Sequence, residues 1–234
     1  MKIQKNWWKL LAALLLLYTV IFGFLGPVPA REILNETIRN LYFHVPMWFG
    51  MMTLLAISVV YGVKHLNKSE MRFDIIAREA AHAGVAMGVL GLITGSLWAR
   101  YTWGTWWTSD TKLNGAAITM LIYFAYFILR GSVEDEQKRA RLAAVYSLFA
   151  FVMMIVFILI LPRMEDSLHP GNGGNPGFSK YDLSSQMRLV FYPAVTGWVL
   201  LGLWIMNVRV RIALLEEKLH NKQTNWEEVL DKPL

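Results

Sequence analysis

Hydrophobic positions along this chain gather into six long stretches, roughly Trp7 to Leu25, Val45 to Val63, Ile75 to Ala99, Gly115 to Leu129, Ala143 to Leu161 and Leu189 to Val208. A helix that crosses a bilayer needs about 20 mostly apolar residues, so each stretch predicts one transmembrane helix. Little chain is left over for a soluble domain. The pattern therefore predicts an all-α, polytopic membrane protein with a single domain over residues 1–234. Its connections on one side fall at about 26–44, 100–114 and 162–188, and a tail runs over 209–234. The first run follows Lys2, Lys5 and Lys9 and precedes "GPVPA", which is also the shape of a cleaved signal peptide. Its length and the five later spans favour a retained helix.

Five of the six stretches carry no ionisable residue at their centres, and the third has Arg78, Glu79 and His82 towards one end. Ion pumps and proton relays normally place such groups at membrane depth, so that class is disfavoured. The third stretch also carries Gly84, Gly88, Gly91 and Gly95, whose Gly-x-x-x-Gly spacings read as close helix packing. Pro193 is expected to kink the sixth helix.

Composition agrees with this pattern, at 55% hydrophobic and 17% charged residues. The absence of cysteine excludes disulfides, thiolate metal sites and a Cys-x-x-Cys-His haem attachment motif in this chain. Charge then orients it. Of 23 basic residues, only Arg31, Arg39, Arg100, Lys112, Arg163, Lys180 and Arg188 fall among the first, third and fifth connections. The rest lie in the two terminal segments and the second and fourth connections. The positive-inside bias predicts cytoplasmic termini. The net charge of +6 thus belongs to topology and the anionic leaflet, and points to membrane lipid and no nucleic acid.

Three features of the outward connections carry candidate chemistry. "WGTWWTSD" would, if helical, place Trp103, Trp106, Trp107 and Asp110 on one face, although an interfacial aromatic belt also explains single tryptophans. Gly104 within it permits close approach of a flat ligand. "RNLYFHVPMW" puts His44 two residues before Pro46, at the mouth of the second span, and "SLHPGNGG" puts His169 after the fifth. Either histidine alone reads as a polar residue at a boundary. Together with the aromatic segment they resemble what a metalloporphyrin requires: a flat apolar surface, two axial imidazoles, and cations for the propionates. Arg39 and Lys112 are candidates for those cations. A structural zinc site wants four ligands, and the methionines are explained by packing. His65, His82 and His220 fall near the cytoplasmic side and outside the site.

On these residues the chain resembles the haem-handling protein C of the bacterial cytochrome c maturation system, the haem exporter protein C family. "WGTWWTSD" is similar to the family's signature Trp-Gly-x-x-Trp-x-Trp-Asp. Trp103, Gly104, Trp107 and Asp110 match it, Trp106 occupies a variable position, and Ser109 stands where the pattern has its third Trp. "YFHVP" and "SLHP" are the supporting matches. The resemblance implies His44 and His169 as axial ligands of haem b bound in transit. It also implies transfer to a periplasmic haem chaperone, and work alongside ATP-binding-cassette transporter subunits and a small single-span subunit in the inner membrane. No nucleophile or acid–base set suggests an enzyme. A transporter moving its substrate through the bundle, and a purely structural subunit, are the alternatives.

Overall fold

The computed structural model describes residues 6–30, 33–165, 167–169 and 183–230, with side chains up to His220. Arg31, Lys180, the Pro170 to Gly177 stretch and the end of the tail lie outside the described side chains. Six helical segments are long and apolar enough to cross a membrane. They are α1 (Trp7–Leu25), α2 (Leu41–Lys68), α3 (Met71–Thr102), α4 (Thr111–Gly131), α5 (Glu136–Met154), which runs on through a π-helical segment (Ile155–Ile160) into the short α6 (Leu161–Met164), and α7 (Ser185–Leu230). At 1.5 Å per residue the 19 residues of α1 span about 28 Å, close to the thickness of a bilayer core.

The helix ends follow local chemistry. Beyond α1 the chain turns extended at Gly26, and Pro27 and Pro29 bar any continuation. Ser69 closes α2 in the left-handed region, and the carboxylates of Asp110 and Asp135 accept the first free N–H groups of α4 and α5. The α2 helix begins at Leu41, four residues before the expected Val45, so His44 lies within the helix. Likewise α3 runs three residues past Ala99.

Methionine, leucine and alanine side chains fill much of the interior. Met51, Leu54, Leu55, Ala81, Ala83, Met87, Met120 and Tyr123 form the buried core, while Leu10, Leu14, Ile93, Leu121, Phe149 and Val152 face outward. Lipid tails are as apolar as leucine, so helix association here rests on close contact more than on removal from water. The glycine stripe of α3 makes that contact against Leu55 at Gly84 and against Met51 and Met120 at Gly88. At the end away from the site, the buried pair Arg130 and Asp74 joins α4 to α3 through two 2.7 Å bonds. Glu79 receives Arg209 of α7 at 2.8 Å, locking a third helix to α3.

Candidate functional site

At the opposite end, α2, α3, α4, the π segment, residues 168–169 and the start of α7 enclose a cavity of about 600 Å³. That lies within the about 300–1,000 Å³ typical of small-molecule and cofactor sites. His44 and His169 both line it, with the indoles of Trp48, Trp98, Trp103 and Trp107 and the cations Lys112 and Arg163. Part of the wall is made by the π segment. The wider turn precedes Pro162, which has no N–H to give, and Ile158 and Leu159 face the cavity from it.

His44 is fixed by packing and by hydrogen bonding to α3. Its ring stands edge-on to Trp48 and Trp98, with centroids 6.2 and 5.9 Å away. On its other side α3 offers no side chain, because Gly95 stands there. The Nδ1 of His44 is 3.1 Å from the hydroxyl of Thr94. That hydroxyl gives its own proton to the Leu90 carbonyl at 2.8 Å, so it accepts from the imidazole and leaves Nε2 with its lone pair. Asn40 donates to the Thr94 carbonyl, and the Trp98 indole donates to Thr37, which ties this wall to the 3₁₀ segment Asn35–Asn40.

His169 is held by Asp110. The buried carboxylate caps α4 by accepting from the N–H groups of Lys112 and Leu113 at 2.9 and 3.2 Å. It also accepts the Leu168 N–H at 2.7 Å and the Ser167 hydroxyl at 2.8 Å. Its Oδ1 lies 3.0 Å from Nδ1 of His169. Burial alone would push the Asp110 carboxyl up, but the bonds from His169, Leu168 and Ser167 outweigh it and hold the group well below the usual carboxylate range. Trp103 completes the setting, edge-on to His169 with centroids 5.1 Å apart.

The tryptophan segment itself is not a helix, which corrects the expected single face. Helix α3 ends at Thr102, and Gly104 takes a positive φ of 75° that glycine adopts without strain. Arg100 donates to its carbonyl. Asp110, by capping α4, then ends the connection. Trp103 and Trp107 reach the cavity, whereas Gly104 and Trp106 do not line it. Trp106 is 58% exposed, and Ser109 is exposed as well. Trp107 donates to Asn114.

Arg39 also lies elsewhere. Its guanidinium donates to the carbonyls of Gly23 and Gly26 at 3.0 and 2.7 Å, satisfying the end of α1, and pairs with Glu36 at 2.6 Å. Arg163 takes the place on the cavity wall that the sequence suggested for Arg39. His82 stacks on Phe127 at 4.4 Å and His65 bonds to the Glu70 carbonyl, both away from the cavity.

The donor set fits a porphyrin better than a bare ion. Among the described residues no group of three or more His, Asp or Glu is placed to hold a metal, while haem iron needs only two protein ligands because its ring supplies four. Over residues 1–225 the chain matches the family model described as Heme exporter protein C. The chain belongs to that family. Relatives named Heme exporter protein C include one from Paracoccus denitrificans, 26% identical over 86% of this chain and 82% of its own length. One from Bradyrhizobium diazoefficiens is 31% identical over 67% of this chain and 59% of its own. One from Escherichia coli is 25% identical over 91% of this chain and 85% of its own. Membership in the haem exporter protein C family places the chain among multi-pass membrane proteins that handle haem for cytochrome c maturation.

Several cavity residues escaped the reading of the sequence. Trp48 lies one helical turn beyond His44, so i, i+4 spacing from the histidine is a signal for it, whereas Trp98 lies on α3 and has no such spacing to a histidine. Gly91 and Gly95 read as helix packing, yet they face the Trp48 indole and the His44 imidazole.

Proposed function

We propose that this member of the haem exporter protein C family binds haem b at the outer face of the inner membrane and delivers it to a periplasmic haem chaperone. The observation that carries the reading is the convergence of His44 and His169, from distant parts of the chain, on one indole-lined cavity. Each imidazole has its Nδ1 engaged, which leaves Nε2 as the nitrogen that would ligate iron. Trp48, Trp98, Trp103 and Trp107 provide apolar contact to the ring, and Lys112 and Arg163 meet the propionates. Asp110 holds His169 in place. When bound, haem supplies an iron with two axial positions for these histidines. The uneven distribution of basic residues supports a site on the periplasmic side with both termini in the cytoplasm.

Delivery is then an exchange of axial ligands, because two iron–imidazole bonds must give way before haem can leave. Transporter subunits and a small single-span subunit are the further partners of the assembly. The test is transfer itself: haem-loaded protein in detergent is mixed with the apo chaperone of the same system, and the two are separated. Haem recovered on the chaperone, and lost from this chain in step, is the expected result. Haem that stays bound over many hours with the chaperone present would refute delivery.

A further inference from the structure

The two histidines differ in what stands behind them. Asp110 faces five donors: the N–H groups of Lys112, Leu113 and Leu168, the Ser167 hydroxyl and Nδ1 of His169. A carboxyl so surrounded has no proton to give, so Nδ1–H of His169 donates to a full negative charge. Behind His44 stand neutral groups: the hydroxyl of Thr94, itself committed to helix carbonyls, and the carbonyl of Gly91. Hydrogen bonds to an ionised acceptor are roughly twice as strong as neutral ones, and a carboxylate behind a ligating imidazole raises its basicity. Position differs as well. His44 is set within α2 against α3, whereas His169 lies on the short segment at the cavity edge beside the exposed Leu168.

Resting on the haem-site reading above, we infer that the two axial ligands are unequal: Asp110 makes His169 the stronger, retained ligand, and Thr94 leaves His44 the weaker one, which parts from iron first. In that step the bond between iron and Nε2 of His44 breaks, its electron pair stays on the imidazole nitrogen, and five-coordinate iron remains on His169. No electron or proton is transferred. The order suits the geometry, since haem freed from the deep histidine stays held at the cavity edge, where an acceptor protein can reach it. Asp110 and Thr94 are positioning residues, each acting through its histidine.

The experiment uses the full-length, haem-loaded protein, reduced in detergent and exposed to carbon monoxide. Carbon monoxide replaces the more weakly held ligand, and its iron–carbon and carbon–oxygen stretching frequencies report the ligand that stays. Asp110→Asn keeps the helix cap and an acceptor but removes the charge, so it should shift these frequencies, while Thr94→Val should leave them at the wild-type values. A shift in Thr94→Val alone, equal shifts in both, or none in either would overturn the inference. Should Asp110→Asn fail to hold haem, rates of haem loss decide the matter. His169→Gly should lose haem at least about tenfold faster than His44→Gly, which is the effect of about 1.4 kcal/mol, and equal or reversed rates would overturn the inference. Wild-type protein that takes up no haem would overturn the site reading itself, whereas loaded protein with equal ligands overturns only their inequality.

Discussion

A Cβ placed on Gly95 would stand 2.7 Å from Cε1 of His44. The imidazole occupies space that any other residue at position 95 would claim, and the next small residue along α3, Gly91, leaves similar room for the Trp48 indole, at 2.8 Å. Overpacking a tight contact costs about 1–3 kcal/mol and displaces side chains. Gly95→Val is therefore expected to push the histidine out of line while the bundle stays folded. Its absorption spectrum should lose low-spin features with little change in helical circular dichroism. A wild-type haem spectrum in this variant would show that His44 does not depend on the glycine.

The propionate contacts separate by position. Lys112 and Arg163 line the cavity, and Arg39 is spent on the end of α1. Neutralising either cavity cation should weaken haem binding several-fold, in line with about 1 kcal/mol for a partly exposed charge pair, and the loss should shrink at high salt. Arg39→Ala should leave haem affinity alone and lower thermal stability instead. Haem titrations at two salt concentrations check both halves.

Stability has its own determinant at the far end of the bundle. The Arg130–Asp74 pair is buried and bidentate, so removing one member strands a charge in a nearly closed setting. Arg130→Met alone should cost about 3–5 kcal/mol. The double variant Arg130→Met with Asp74→Leu should recover much of that loss. Unfolding in denaturant, followed by circular dichroism, measures the difference.

Orientation can be read with a single thiol, because the chain has no cysteine of its own. Ser109→Cys is exposed beside the cavity and Lys138→Cys sits near the start of α5. A membrane-impermeant maleimide added to intact spheroplasts should label the first and not the second. The opposite pattern would reverse the topology.

The six spans were legible because a long apolar run has few other meanings, and Trp7 to Leu25 coincides with α1 to the residue. Helix ends were less so, since α2 starts earlier than its apolar run and takes in His44. The tryptophan segment misled through its spacing. Trp103, Trp106, Trp107 and Asp110 share a face only on an unbroken helix, and Gly104 and the Asp110 cap together interrupt it. The position of Arg39 in the chain suggests a propionate cation, but the path of the backbone puts the end of α1 within its reach. The link from Asp110 to His169 joins segments far apart in sequence, and no local pattern announces such a contact.

The proposed site requires that His44 and His169 together ligate haem iron. The most direct test is the absorption spectrum of purified protein, oxidised and reduced, for the wild type, His44→Ala, His169→Ala and the control His82→Ala. A Soret band with low-spin features is expected in the wild type, collapsing or shifting in His44→Ala and His169→Ala and persisting in His82→Ala. Spectra unchanged in both His44→Ala and His169→Ala, or a wild type that stays colourless after haem is added, would contradict it.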